Sequence, residues 1–218
     1  MGLCAAILER ETPRPDKGRD TVLWKHGIDD YQDHFSTKST WEQIRSKRAV
    51  VEWSRVVWFT QGVPRFAFIT WLAMKNKLST GDRMRQWGMV QGCELCGERD
   101  ETRDHIFFAC PYTYTVWESL ARRLVGRGIN PDWQWTVQHI QRMRPLEMDT
   151  ILAKLLLQTT IYHVWRERNA RRHQQTRVPT DHLRRIIDKA VRNRIISLKY
   201  KYAHKYGGLL QRWFLLTS

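Results

Sequence analysis

The sequence has few cysteines and no long apolar run. Four of its 218 residues are Cys, and three of these lie within 18 residues of one another, which is not the pattern of a disulfide framework. The densest apolar stretch, residues 151–157, is interrupted by Lys154 and is far shorter than the roughly 20 residues that a membrane-spanning helix needs. We therefore expect a reducing compartment, nuclear or cytoplasmic, and no membrane partner.

Acidic residues are scarce in the last third of the chain. The formal net charge is +15, and residues 141–218 hold 17 Lys and Arg against 5 Asp and Glu. Residues 1–140 are nearly balanced, with 20 basic and 17 acidic side chains. A cationic region attracts phosphate backbones or anionic membrane surfaces through a salt-dependent field. The charge alone does not choose between these two partners.

No internal repeat or low-complexity tract is present, so neither a solenoid nor a modular array is indicated. Residues 1–20 mix Pro13, Pro15 and Gly18 with charges and show no apolar period, which predicts a flexible lead-in. The apolar share of 42% is ordinary for a globular protein and is sufficient for one core or two small ones.

Local patterns in the first half predict short helices. Ser39 and Glu42 have the spacing of a capping box, which predicts a helix over about Thr40–Lys47. The apolar residues of Val50–Phe59 are too few to distinguish a strand from a helical turn. Pro64 suits the first turn of a helix that continues to about Lys75.

Glycines mark the ends of the next predicted helices. A helix from Thr80, as N-cap, to Trp87 is followed by Gly88, and a helix over Tyr112–Val125 is followed by Gly126. The stretch Gly128–Trp135 is predicted as a loop that carries tryptophan.

Two long helices are predicted at the C-terminal end, over about Asp149–His173 and Asp181–Tyr206. Each has apolar residues at helical spacing on one side. Basic residues crowd the end of the first helix and occupy the other faces of the second. The apolar sets are Leu152, Leu155, Leu156, Thr159, Tyr162 and Trp165 in the first helix, and Leu183, Ile186, Ile187, Ala190, Val191, Ile195, Leu198 and Tyr202 in the second.

Three cysteines and one histidine form a metal-ligand pattern. Cys93, Cys96, His105 and Cys110 have the spacing C-x2-C-x8-H-x4-C, and three thiolates with one imidazole are a closed tetrahedral set for structural zinc. Gly97, directly after the second Cys, permits a positive φ in the tight turn. We therefore predict a Zn²⁺-binding knuckle, by which we mean residues 93–110.

The alternative is a set of ordinary buried cysteines and a hydrogen-bonded histidine, but all these side chains fall within one loop, which favours zinc. Because the protein fills all four positions, no water is left for the metal to activate, and hydrolytic chemistry is disfavoured. We find no nucleophile and base pair either, and predict no catalytic residues. The predicted fold is a mainly α-helical scaffold with a small CCHC zinc knuckle and two long basic C-terminal helices.

Twelve cations of the two long helices are candidate phosphate contacts. They are Arg166, Arg168, Arg171, Arg172, Arg184, Arg185, Lys189, Arg192, Arg194, Lys199, Lys201 and Lys205. The alternative is a solvated face that serves solubility. The large local excess of positive charge favours phosphate binding, and the partner is RNA or DNA.

Aromatic and acidic residues beside the knuckle have two interpretations each. Phe107 and Phe108, with Tyr112 and Tyr114, could stack on unpaired bases, but the two phenylalanines are better explained as core under the metal. Three acidic residues, Asp100, Glu101 and Asp104, are interpreted as partners that orient His105 or as solvated loop residues.

Several segments together resemble the reverse-transcriptase zinc-binding domain of plant LINE-type, non-LTR retrotransposon reverse transcriptases. The resemblance covers about residues 35–117. It is carried by Phe35-Ser36-Thr37-Lys38-Ser39, Trp53 to Trp58, Pro64 to Leu78, the four predicted ligands, and Glu101 through Pro111 to Trp117. The segment Trp165-Arg166-Glu167-Arg168-Asn169 also looks like one found downstream in such proteins.

The resemblance implies a module that helps a reverse transcriptase hold its RNA template or target DNA. We expect neither polymerase nor endonuclease activity, since the one Asp-Asp pair, Asp29-Asp30, follows Gly27-Ile28 where a polymerase has an aromatic two positions upstream. The predicted domains are a lead-in over 1–20, the zinc-binding domain over 21–135 and a basic helical region over 136–218. The alternative is a domesticated structural subunit of a ribonucleoprotein, which would use the apolar face of Leu183 to Leu198 to dock on a protein partner.

Overall fold

The computed structural model describes Gly18 and residues 21–46, 49–126, 129–144, 147–174, 176–201 and 206–217. Contacts divide the chain into two compact units, Met1–Ala49 and Val50–Ser218. The described part is mainly α-helical with one two-stranded sheet, so the predicted fold class is confirmed. No helix within these ranges has both the length and the apolarity to cross a membrane.

The domain division at residues 20 and 135 stays a prediction. Apart from Gly18, the predicted lead-in over 1–20 lies outside the described residues.

The first unit contains a short hairpin that the sequence analysis did not predict. Strand β1, Trp24–Lys25, pairs antiparallel with strand β2, Tyr31–Gln32. Asp29 in the intervening turn has a φ of 56°, a left-handed conformation that Asp tolerates better than most residues. The hairpin is therefore specified by turn chemistry, because strands of two residues are too short to show an alternating pattern.

Helix α1 spans Thr37–Ile44, so the predicted start at Thr40 is wrong by three residues. The cap is Ser36, whose backbone is extended and whose hydroxyl accepts a hydrogen bond from the Ser39 amide at 3.2 Å. Ser39 therefore lies inside the helix and cannot cap it. Glu42, the second member of the predicted capping box, accepts a hydrogen bond from Arg45 instead.

The second unit begins with three short helices, α2 at Ser54–Val57, α3 at Pro64–Met74 and α4 at Gly81–Arg85. The sequence did not distinguish a strand from a helical turn over Val50–Phe59, and helix α2 shows that this stretch contains a helical turn. Helix α3 confirms the prediction from Pro64. Helix α4 is shorter than predicted.

Helices α5, His105–Ala109, and α6, Pro111–Val125, follow the metal-ligand loop. Helix α6 confirms the prediction, and Gly126 after it has a φ of 61°. Helix α7 spans Trp133–Arg142, so the predicted loop over Gly128–Trp135 is wrong from Trp133 onward. Its cap is Asp132, whose carboxylate accepts from the Trp135 amide at 2.5 Å.

Helix α8, Met148–Gln174, is the long central element of the second unit. It packs against α3, α6 and the following helix α9. Burial extends beyond the predicted apolar side to Leu157, Ile161 and Val164, and to polar residues around the helix. A helix covered on several sides loses the amphipathic pattern on which the prediction depended.

Helix α9, Thr180–Lys201, has the predicted one-sided pattern. Its buried positions are Leu183, Ile187, Val191, Ile195 and Leu198, all at most 3% exposed. They face α6 and α8. A last helix, α10 at Leu209–Thr217, packs on α6, α8 and α9 and was not predicted.

The buried residues of the second unit form one continuous hydrophobic core. It runs from Val56 in α2 to Leu216 in α10 and includes two of the predicted metal ligands, Cys93 and Cys110. The knuckle is therefore seated on the main core.

The packing of α9 predicts a large cost for Ile187→Ala. The side chain is 0% exposed, so truncation loses buried surface and leaves a cavity that costs about 2–5 kcal/mol. Urea unfolding measures the effect. Ile196→Ala on the same helix, where the side chain is 39% exposed, is the matched control and should change the free energy of unfolding much less. Equal effects would show that α9 does not pack as described.

Candidate metal centre and basic surface

The four predicted ligands converge at one point. One donor atom from each of Cys93, Cys96, His105 and Cys110 lies within 4.8 Å of each of the others. The Sγ atoms of Cys93 and Cys110 are 3.9 Å apart, and Cys96 Sγ is 3.2 Å from His105 Nε2. None of the three cysteines is in a disulfide. The distances are those of donor atoms that could share one ion.

A tight turn places the first two cysteines. The Cys93 amide donates to the Glu98 carbonyl at 2.7 Å, and the Gly97 amide donates to the Cys93 carbonyl at 2.8 Å. Gly97 has a φ of 84°, as its position in the sequence predicts. A Cβ on Gly92 would lie 2.8 Å from the Glu98 carbonyl oxygen, so Gly92 permits the two sides of the turn to approach each other.

A wide helical turn places the other two ligands. The Cys110 amide donates to the His105 carbonyl at 2.6 Å across helix α5, which is a π-helical turn. Phe107 and Phe108 of this turn are 0% exposed and contact the ring of Trp133. They are core residues and do not stack on bases. Burial of this pair fixes the turn from which both ligands project.

The donor set fits a tetrahedral metal ion. Two thiolates that each lie about 2.3 Å from a tetrahedral zinc are about 3.8 Å apart, close to the 3.9 Å between Cys93 and Cys110. In the metal-free chain, the hydrogen bond to Cys110 and burial raise the pKa of the Cys93 thiol, and the same hydrogen bond lowers the pKa of Cys110. Burial raises the pKa of Cys96. A bound cation would displace these protons, because a coordinating thiol is deprotonated.

The comparison with known families agrees with this site. Residues 35–117 match the family described as zinc-binding in reverse transcriptase. All four converging side chains lie within the matched segment, which is the region where the sequence resembles that domain. No curated protein and no solved structure matches the chain. The chain therefore contains a segment that is similar to this zinc-binding family, with a Cys and His group that could hold a metal.

A buried ion pair connects the knuckle to helix α8. Arg168 is 1% exposed and Glu101 0% exposed, and Arg168 Nη2 donates to Glu101 Oε1 at 2.7 Å. The same carboxylate accepts from the amides of Gly81 and Glu94. Glu101 does not orient His105 as predicted. It joins the start of α4, the metal-ligand loop and α8.

A second arginine of α8 holds the turn between the first two cysteines. Arg171 Nη1 donates to the carbonyl of Leu95 at 2.9 Å, and Arg171 Nε donates to Glu167 at 2.8 Å. The guanidinium lies 4.4 Å from the ring centroid of Tyr112, whose hydroxyl donates to the Val178 carbonyl. Burial raises the pKa of Tyr112 to about 12. Tyr112 is therefore part of this packing and is not available to stack on a base.

The two other acidic residues predicted near the site lie on the surface. Asp100 pairs with Arg85, and Asp104 pairs with Arg103. The carboxylate beside the predicted histidine ligand belongs to Glu98, whose Oε2 is 3.5 Å from His105 Nδ1. A carboxylate at the second ring nitrogen is a common way to orient a metal-bound histidine. Spacing could have suggested Glu98, which follows Cys96 by two residues.

The twelve predicted phosphate contacts are not equally accessible. Arg168 and Arg171 are engaged in the interior, and Arg194 donates to the carbonyls of Gln61 and Gly62. These placements argue against all three as phosphate contacts. Lys205 and the side chain of Lys201 lie outside the described part of the chain. The exposed or half-exposed members are Arg166, Arg172, Arg184, Arg185, Lys189, Arg192 and Lys199.

The ion pair between α8 and the knuckle predicts that Glu101→Gln is strongly destabilising. The amide leaves Arg168 buried without a counter-charge, which costs about 3–5 kcal/mol. Denaturant unfolding in the presence of metal measures this cost. Asp100→Asn is the matched control and should have little or no effect, since Asp100 is exposed and surface pairs contribute little. Unchanged stability of Glu101→Gln would show that the pair does not hold the knuckle.

Proposed function

We propose that this chain is a zinc-dependent nucleic-acid-binding module in which the knuckle is structural and the exposed cations of α9 contact phosphates. The main support is the arrangement of charge on α9. Arg185, Lys189, Arg192 and Lys199 follow one another at intervals of four, three and seven residues, so they share one side of the helix. We call these four residues the basic stripe.

The basic stripe lies opposite the buried side of α9 and faces solvent. Arg185, Lys189 and Lys199 are exposed and have no hydrogen bond or ion pair to any described residue. Arg192 pairs with Asp188 at 2.7 Å. At 1.5 Å per residue the stripe is about 21 Å long, which is enough for several consecutive phosphates. A row of exposed cations, three of the four without an ion pair to a described residue, is the kind of surface that contacts a phosphate backbone.

We assign zinc to the metal centre. Three thiolates and one imidazole favour zinc over oxygen-preferring cations such as Mg²⁺ or Ca²⁺. With four protein ligands the ion would have no open position for a substrate or water, so its contribution is to folding. The closed set disfavours hydrolysis at this ion, and the Asp29-Asp30 pair lacks the aromatic that a polymerase has two positions upstream. We therefore propose that the module has no polymerase or endonuclease activity of its own.

The proposal also includes an origin in the C-terminal end of a LINE-type reverse transcriptase of the plant kind. The support is the resemblance over residues 35–117 together with the downstream segment 165–169. Arg168 in that downstream segment pairs with Glu101 in the matched one, so the two segments depend on each other physically. We propose that the chain acts in the nucleus or cytoplasm on RNA or DNA.

The alternative function, a structural subunit of a ribonucleoprotein, loses its predicted docking face. The apolar side of α9 from Leu183 to Leu198 is buried against α6 and α8. A protein partner would need another surface. Phosphate binding by the basic stripe needs no rearrangement of the core, and we favour it for that reason.

The zinc assignment predicts that purified, reduced protein contains one equivalent of zinc. Cys93→Ser and His105→Ala should each lower the metal content and the thermal stability, because metal binding at such sites is coupled to folding. Elemental analysis and thermal unfolding with and without a chelator measure both quantities. Cys4→Ser controls for the loss of a thiol and should keep full zinc. Full zinc content in both ligand variants would contradict the assignment.

The basic stripe predicts steep salt dependence of nucleic-acid affinity. Each phosphate contact contributes about 0.7–0.9 to the slope of log affinity against log salt, so Arg185→Ala/Lys189→Ala/Lys199→Ala should reduce the slope by about 2–3. Fluorescence anisotropy with labelled RNA and DNA at several salt concentrations measures it.

A control variant that removes the same number of positive charges distinguishes the loss of specific phosphate contacts from a general loss of net charge. Lys77, Arg99 and Arg123 are exposed and lie outside α8 and α9. Their triple alanine variant removes the same three charges and should change the slope much less. Equal slopes for the two variants would mean that the effect is one of net charge and that the stripe is not the binding surface.

A further inference from the structure

A groove on the second unit is separate from both the metal centre and the basic stripe. It has a volume of about 570 Å³, within the roughly 300–1,000 Å³ of pockets that bind small organic groups. Its walls come from α3, α8, the connection after α8 and the start of α9. The residues that matter for its chemistry are Ile69, Tyr162, His163, Trp165, Arg166 and Asn169.

Two aromatic rings are accessible in this groove. Tyr162 and Trp165 are each half-buried, and they lie three residues apart on α8, on neighbouring positions of one helix face. Trp165 has Arg168 at 5.0 Å from its ring, and Tyr162 has Arg65 at 4.9 Å. Half-buried rings that are fixed by packing and flanked by cations are suitable surfaces for stacking of flat groups.

The polar groups of the groove have unused hydrogen-bonding capacity. His163 is 8% exposed, and its buried Nε2 has no partner among the described residues. Burial, with Arg166 and Arg65 nearby, lowers the pKa of His163 to about 4, so the ring is neutral near pH 7. Asn169 accepts a bond from Arg168 through its carbonyl oxygen, which leaves its amide group to donate.

The charge of the groove is suited to an anion. Arg166 is exposed and makes no ion pair or hydrogen bond within the described residues. The carboxylate in the wall, Glu167, is 5% exposed and is already bound by Arg171 and by the amide of Val178. An anion that enters the groove is therefore attracted by Arg166, and the charge of Glu167 is already balanced by Arg171.

We propose that this groove binds unpaired nucleotides of a single strand, with a base against Tyr162 or Trp165 and a phosphate on Arg166. Bases in a duplex are stacked on one another, and only an unpaired base presents its face to a ring on a protein. The neutral side chains of His163 and Asn169, beside the rings, can form hydrogen bonds with the edge of a base. An acidic peptide would present carboxylates to these side chains and would have no flat face to stack on the rings. The inference rests on the proposed function and adds a preference for single strands to it.

The test compares single strands with a duplex of the same sequence. Strands of about 12 nucleotides, within the roughly 4–16 nucleotides that single-strand modules cover, are labelled and titrated with the full chain at one salt concentration. Trp165→Leu and Arg166→Ala should each weaken binding of the single strand roughly tenfold and leave duplex binding unchanged. RNA and DNA strands are run in parallel to show which sugar the groove prefers.

Conservative and distant variants control for folding. Trp165→Phe keeps an aromatic face and should recover most of the single-strand affinity, while Trp58→Leu removes an indole that is 54% exposed and not in the groove. Arg123→Ala is the charge control for Arg166→Ala. Circular dichroism and thermal unfolding show that each variant is folded.

Photocrosslinking of the unaltered chain gives a readout that does not depend on a variant. Strands that carry 4-thiouridine or 5-iododeoxyuridine should crosslink to the peptide that contains Tyr162 and Trp165. Crosslinks that map only to α9, or a Trp165→Leu variant that binds the single strand as well as the unaltered chain does, would overturn the inference. If neither single strand nor duplex binds at any salt concentration, the proposed function fails and this inference fails with it.

Discussion

The ion pair between Arg168 and Glu101 is the contact on which the position of the metal centre depends. Glu101 lies in the sequence between Cys96 and His105, so it is part of the loop that brings the four candidate ligands together. Its carboxylate is removed from water and accepts hydrogen bonds from three groups, which are the Arg168 guanidinium and the backbone amides of Gly81 and Glu94. Such a pair offsets its own desolvation without adding much stability. Its effect is to fix the knuckle in one orientation on α8.

The two halves of the knuckle are held in different ways. His105 and Cys110 project from a turn whose Phe107 and Phe108 are part of the hydrophobic core, so this half is positioned by burial. The turn from Cys93 to Glu98 buries Cys93 and Leu95 in the same core but exposes Cys96, Gly97 and Glu98. Its exposed side depends on the hydrogen bonds of the turn and on Arg171 at the Leu95 carbonyl. Metal binding would therefore add most order at the exposed Cys96, since the other three candidate ligands are buried or half-buried.

Features specified by neighbouring residues could be predicted from the sequence. The start of α3 at Pro64, the positive φ of Gly97 and Gly126, and the convergence of the four ligands depend on residues close together in the chain. The start of α1 was wrong because Ser36 and Ser39 are both acceptable caps, and the backbone conformation decides between them. The start of α7 differs from the prediction because Asp132 caps a helix directly before its apolar face.

Long-range contacts could not be predicted in the same way. Arg168 and Arg171 belong to a run of basic residues that looked solvent-exposed, and only the proximity of Glu101 and of the Leu95 carbonyl places them inside. The burial of α8 on several sides has the same origin, because several helices, among them α3, α6, α9 and α10, cover it. A helix in that environment has no polar side for a periodic pattern to reveal.

Helix α8 contacts the knuckle through Arg168 and Arg171, although it lies outside the segment that matches the zinc-binding family. The matched segment ends at Trp117, in the middle of helix α6. The cation that neutralises Glu101 is Arg168, which lies 67 residues after Glu101 in the chain. If the segment were excised alone, a buried carboxylate would be left unneutralised and half of α6 would be missing. A fragment that keeps the partners of Glu101 and of the Leu95 carbonyl must therefore extend at least to Arg171.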